Sequence, residues 1–193
     1  MKKPIVHKKY LMLYSETARQ RVINVLMKYP ELEFSLSDLA KEAGVAKANI
    51  GDILEDFCNR GLITIEKLSR IWRIKANQKD GNFVKIKIVH NMNNIYQSGL
   101  VEFLNEGYKN PKAIVLFGSY RNGEDISNSD IDIAIERDSG EYMTIRLEEL
   151  SELEKLLGRK IQIHLFSRKK IDSSIFNNMA NGIVLSGFLE VRP

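Results

Sequence analysis

Ala113-Ile114-Val115-Leu116-Phe117-Gly118-Ser119-Tyr120-Arg121-Asn122-Gly123, a polar loop, then Ser129-Asp130-Ile131-Asp132-Ile133-Ala134-Ile135: how this stretch folds decides the reading of the chain. Five apolar residues with β-branched members predict a buried strand. The Gly118-Ser119 pair breaks that strand and can open a short helix. In the second run Ile131, Ile133 and Ile135 alternate with Asp130, Asp132 and Ala134, so the two carboxylates share one strand face. Two residues apart on a strand, their Cα atoms lie about 6–7 Å from each other. Unpaired carboxylates cannot be buried together, because desolvating them is too costly. A divalent cation is the simplest way to relieve their repulsion, and Mg2+ takes one or two carboxylates plus substrate phosphates. Gly118 lets backbone approach a phosphate, the Ser119 hydroxyl can donate to it, and free N–H groups at a helix start favour anions.

The stretch resembles the nucleotidyltransferase superfamily that includes DNA polymerase beta, and within it the minimal nucleotidyltransferases. Their pattern is an apolar strand, Gly-Ser, about ten residues, and Asp-x-Asp in a second strand. Here the ten residues Tyr120 to Ser129 separate Gly118-Ser119 from Asp130-Ile131-Asp132. The likeness runs from about Lys112 to Leu185. It implies that Asp130 and Asp132 are catalytic and hold Mg2+ (or Mn2+), and that Gly118 and Ser119 cradle the distal phosphates of an NTP, ATP favoured. The chemistry implied is in-line displacement at the α-phosphorus with pyrophosphate as leaving group. Arg121 lies close enough to neutralise phosphate charge, or is a solvated turn residue. Glu124 and Asp125 are expected to be solvent-facing loop acids.

One position departs from the family. A third carboxylate usually stands on the next strand, where this chain has Lys160-Ile161-Gln162-Ile163-His164. Gln162 occupies that position, and an amide cannot act as a general base. His164 points the same way two residues on. It can serve as base, although a packing or surface histidine is the preferred reading.

Residues 1–80 carry 15 Lys/Arg against 10 Asp/Glu, whereas residues 81–193 carry 14 against 15. The basic excess therefore sits in the first part, as in domains that meet polyanions. Ser15 is the expected N-cap of a first helix, with Glu16 in its first turn and Pro30 as its stop. Ser35 or Ser37 caps a second helix, Gly44-Val45 turns, and a third carries Ile50, Ile53, Leu54 and Phe57 inward before Gly61. The runs Leu62 to Glu66 and Ile71 to Lys75, joined by residues 67–70, predict a hairpin. From Ser15 to Lys75 this is similar to a winged helix-turn-helix. That likeness implies duplex DNA as a partner, with Lys47 and Asn49 at the start of the recognition helix and Lys67 and Arg70 at the wing tip. Winged helices also serve as dimerisation or docking modules, and Asp52, Glu55 and Asp56 make the helix face partly acidic.

Asn77 to Gly81 is a polar boundary. Phe83 to His90 fits either strand or helix; Asn91 to Glu106 reads as one helix. After the Asp-x-Asp strand, an amphipathic helix over Glu141–Leu157, a strand over Ile161–Phe166 and a helix from about Arg168 to Ala180 are expected. The predicted fold is α/β, an α+β nucleotidyltransferase domain with a small mixed sheet flanked by helices and the site at one sheet edge, preceded by a winged-helix domain. The expected division is 1–80, a linker helix over 81–110, and 111–193.

A single cysteine, Cys58, excludes an internal disulfide and is expected in a helical core. His7, His90 and His164 have no cysteine partners, so a zinc site is not expected. Neither a membrane span nor a signal peptide is expected, which leaves the cytoplasm as default compartment. Three functions compete. One is a nucleotidyltransferase acting on an unidentified hydroxyl. Another is a DNA-binding regulator whose weakened transferase domain senses nucleotide. The last is an antitoxin-like partner of a HEPN-type toxin. A homodimer is compatible with each.

Overall fold

The structure, a computed structural model, describes residues 17–69 and 71–191, so Ser15, Glu16 and Arg70 lie outside the described residues. The chain divides into two compact units within a helix, between Lys87 and Ile88.

In the first unit, α1 (Ala18–Lys28) starts at Thr17, whose hydroxyl accepts the Gln20 N–H while the Gln20 side chain accepts the Thr17 N–H. This reciprocal cap satisfies two otherwise unpaired helix-start donors. Val22, Val25 and Leu26 form its buried stripe. A short strand β1 (Glu33–Phe34) leads to α2 (Leu36–Glu42), capped by Ser35. Gly44 turns at φ +60, and α3 (Lys47–Asn59) buries Ile50, Ile53, Leu54 and Phe57. Cys58, expected in the core, is exposed: it follows Phe57 off the buried face near the helix end. Strands β2 (Ile63–Leu68) and β3 (Ile71–Ala76) form an antiparallel hairpin, and β1 pairs with the other side of β3. Pairing runs to Leu68 opposite Ile71, so Lys67 lies in the ladder opposite Trp72 rather than in the turn.

Helix α4 (Gly81–Gln97) settles the open reading of Phe83–His90. Asp80 decides it: one carboxylate oxygen accepts the N–H groups of Asn82 and Phe83 and caps a helix. The single helix expected over Asn91–Glu106 is two. Gly99 adopts φ +79, the Ser98 hydroxyl accepts the Leu100 N–H, and α5 (Leu100–Gly107) starts afresh.

The second unit is built on a five-stranded mixed sheet of β4 (Ala113–Phe117), β5 (Ile131–Glu136), β6 (Met143–Ile145), β7 (Ile161–Phe166) and β8 (Ile183–Gly187), in the order β6-β7-β5-β4-β8. Only β5 and β7 are parallel neighbours. Strand β5, which begins after Asp130, is the middle strand, so the Asp-x-Asp segment lies at the sheet centre and not at an edge. The isoleucines of β5 and β7 join Leu100 and Leu104 of α5 and Leu153 in one core layer. Ala113, Val115, Ala134 and Phe166 meet Met179 on the other face.

Two expected elements of this unit differ, and one strand is additional. Residues 141–157 form β6, a 3-10 turn (Glu148–Leu150) and a shorter helix α7 (Ser151–Leu157). The β-branched pair Thr144-Ile145 completes the sheet beside β7, which outweighs the leucine periodicity. The last helix, α8 (Ser173–Ala180), begins where the Asp172 carboxylate accepts the Ser174 N–H, five residues later than expected. Strand β8 follows the Asn181-Gly182 stop and was not anticipated. Among the described residues no helix is long and apolar enough to cross a membrane.

Candidate active site

Strand β4 ends at Phe117, and Gly118 turns the chain at φ +76 into the short helix α6 (Gly118–Asn122). A Cβ on Gly118 would stand 2.6 Å from Oδ2 of Asp132. Glycine is therefore needed twice, for a left-handed backbone and for room beside the carboxylate. Ser119 and Arg121 are half-buried, and an Arg121 Nη donates to the Asn122 side chain.

The loop from Gly123 to Asp130 is anchored from below. Asp125, expected in solvent, is fully buried. It accepts from Asn91 at 2.9 Å and from the Arg159 guanidinium at 3.1 Å, and both ion-pair side chains are almost wholly enclosed. The same Asn91 amide reaches the Tyr120 carbonyl at 2.8 Å. Burial pushes the Tyr120 phenol up to about 12, so it stays neutral. This network is not legible in the sequence, because the partners of Asp125 lie 34 residues away on either side. Glu124 is exposed, as expected.

Asp132 stands in register with Phe117 of β4 and Gln162 of β7, so the amide sits beside it on the sheet. Its Oδ1 lies 3.1 Å from His164 Nε2, and His164 Nδ1 lies 2.8 Å from the Tyr142 hydroxyl. A carboxylate only accepts, so Nε2 carries a proton; in the neutral ring Nδ1 then accepts from Tyr142. His164 is buried, with its ring edge-on to Phe117 at 4.9 Å. The alternation of β7 put His164 on the face of Gln162, but nothing local announced Tyr142. Asp130, just ahead of β5, accepts from Arg146 Nη2 at 2.7 Å. Arg146 was not singled out by its sequence context.

The structure thus gathers Gly118, Asp132 and His164, and sets Gln162 beside Asp132. The two carboxylates offer hard oxygen donors of the kind Mg2+ and Mn2+ prefer, and Gly118 keeps the space beside Asp132 open. Among the described residues no three His, Cys, Asp or Glu side chains are grouped to hold a metal by themselves. The donor set fits a cation that completes its shell with phosphate oxygens and water.

In the first unit Lys47 and Asn49 are exposed in the first turn of α3. The Lys67 ammonium lies over the Trp72 ring, 4.3 Å from its centre. Asp56, one of the acids on α3, pairs with Arg19 and Arg60 and is held below the usual carboxylate range by the Arg60 hydrogen bond first.

Residues 98–185 match the nucleotidyltransferase domain family. Over 72 residues the chain is 43% identical to a protein of Methanocaldococcus jannaschii that carries the provisional name protein adenylyltransferase; the match spans 36% of this chain and 69% of that relative. No solved structure matches the chain. With Gly-Ser, Asp-x-Asp and their strands arranged as above, the chain belongs to the nucleotidyltransferase family.

Proposed function

We propose that the chain transfers a nucleoside monophosphate, AMP in preference, from a Mg2+-bound NTP to a hydroxyl group. The close approach of Asp132 to the Gly118 turn carries this reading, because it sets a carboxylate oxygen directly beside a side-chain-free backbone turn that a phosphate can approach. Ser119 and the backbone N–H groups of the turn bind the distal phosphates, and Arg121 adds positive charge beside them. Asp130 and Asp132 would hold the cation, which when bound would supply charge stabilisation for the leaving pyrophosphate and for the acceptor oxygen. His164 donates to one oxygen of Asp132 and fixes the direction of the other. Gln162 takes no proton, so with no carboxylate base at that position the acceptor's proton passes to solvent water. A protein hydroxyl is the acceptor class suggested by the name of the M. jannaschii relative.

The first unit is proposed to bind duplex DNA as a winged helix. Support comes from three helices followed by an antiparallel hairpin, with exposed Lys47 and Asn49 opening the third helix. A second reading, a DNA-bound regulator that senses nucleotide and transfers slowly, is favoured by Gln162 alone. Calorimetry with Mg–ATP tests the site. Asp130→Asn and Asp132→Asn are each expected to lose binding while retaining the native circular dichroism spectrum. Unchanged affinity in both would remove the assignment.

A further inference from the structure

The two carboxylates are held in contrasting ways. The partner of Asp132 is a buried side chain: His164 is wedged against Phe117 and Tyr142, and its contact to the carboxylate is part-buried. The Arg146 contact to Asp130 is open: the Arg146 side chain is 58% exposed and grips the carboxylate through one nitrogen. An exposed pair of this kind contributes little and is easily exchanged. Arg146 also lines a cavity of about 950 Å³ shared with Lys160, Glu148 and Glu154, so the side chain has room to move. Lys160 is committed to Glu154 at 2.8 Å.

We propose that Arg146 is a substrate-binding residue, parked on Asp130 when no cation is present and passed to a phosphoryl oxygen of the nucleotide when the cation takes Asp130. The proposal rests on the transferase reading of this site. A guanidinium and a divalent cation repel each other across one carboxylate unless an anion lies between them, and a phosphoryl group is such an anion. Arginine suits it, because its planar fork matches phosphate oxygens and its charge is constant. The strand order selects the phosphate. Gly118 and Ser119 follow β4 on one flank of β5, whereas Arg146 follows β6, beyond β7 on the other flank. With the distal phosphates on the Gly118 turn, Arg146 faces the α-phosphate end. Arg146 thus neutralises the site at rest and stabilises the phosphoryl group under attack when the site is loaded.

The consequence is a pair of opposite effects from one substitution. Mn2+ binding to the full chain is titrated by electron paramagnetic resonance for native protein, Arg146→Gln, Arg146→Lys and Asp130→Asn. Binding of the α,β-methylene analogue of ATP and of pyrophosphate is then measured with Mn2+ present. Arg146→Gln should bind Mn2+ alone roughly tenfold more tightly, as expected from removing one positive charge a few ångströms from a divalent ion in a partly screened site. The same variant should bind the ATP analogue roughly tenfold more weakly, having lost a charge-assisted contact. Pyrophosphate affinity should not change, and Arg146→Lys, which keeps the charge but not the planar fork, should resemble native protein in the Mn2+ titration and fall between native and Arg146→Gln for the analogue. If Asp130→Asn loses Mn2+ while Arg146→Gln binds it no more tightly, the parked state is refuted and the site assignment stands. Tighter Mn2+ binding with unchanged analogue affinity refutes the transfer to phosphate. If neither native protein nor Arg146→Gln binds Mn2+ with or without the analogue, the site assignment fails and the proposal with it.

Discussion

Gly118 is the residue at which backbone conformation and chemistry coincide. Its φ of +76 disfavours any side chain by about 1–2 kcal/mol. Gly118→Ala adds a methyl against Asp132 Oδ2, so the carboxylate must turn away. The expected result is loss of Mg–ATP binding with only a modest fall in melting temperature, checked by calorimetry beside thermal unfolding. His164 makes a second test at this scale. His164→Leu removes the donor to Asp132 and should weaken Mg–ATP binding, whereas His164→Gln keeps a nitrogen donor at similar reach and should recover most of it. Equal losses in both variants would mean that His164 serves only packing. Gln162→Asp supplies the carboxylate that the resemblance to nucleotidyltransferases leads one to expect there, and single-turnover rates should rise roughly 10²–10⁴-fold if the missing base limits transfer. The sequence made Gly118, Asp132 and Gln162 readable because spacing and alternation are local properties. Arg146 and Tyr142 were not readable, because each reaches the site from a segment whose strand pairing no local pattern shows.

Among the elements, the loop between α6 and β5 sets where Asp130 stands, and the buried Asp125–Arg159 pair holds it. Removing one partner leaves a buried charge, which typically costs about 3–5 kcal/mol. Arg159→Met should therefore lower unfolding free energy by about that much, measured by urea denaturation. Asp125→Asn together with Arg159→Met should recover part of the loss, since no charge is then stranded. Asp125 lies in a polar loop, so its composition suggested solvent; its burial depends on Arg159, which arrives just before β7. The same long-range dependence explains the misread helix over residues 141–157. Leu147, Leu150, Leu153 and Leu157 recur with helical spacing, but β7 needed an antiparallel neighbour, and Met143–Ile145 supplies it. Conversely, β4, β5 and β7 were readable because continuous or alternating isoleucine runs leave few alternatives.

For the whole molecule, two units along one chain join a basic first part to a transferase domain, and the proposed DNA contact belongs to this scale. The full chain should bind duplex DNA with affinity that falls as salt rises, through release of counterions from phosphates. Lys47→Ala should weaken binding on all sequences and lower the salt slope by about one, while Asn49→Ala should mainly reduce discrimination between sequences. Duplex affinity independent of salt, or absent at about 50 mM salt, would assign the first unit to docking. Glycine turns, the Ser35 cap and the apolar stripes of α1 to α3 made that unit readable, although the cap of α1 is Thr17 where Ser15 was expected. Its division from the second was not, because α4 continues through it. Transfer itself is the central claim, and ATP labelled at either the α- or the γ-phosphate, incubated with Mg2+, the protein and a cell lysate, tests it most directly. Macromolecule-bound label is expected from α-labelled ATP alone, with release of pyrophosphate, and none with Asp132→Asn. Label transferred from the γ-phosphate, or α-label undiminished in Asp132→Asn, would contradict that claim.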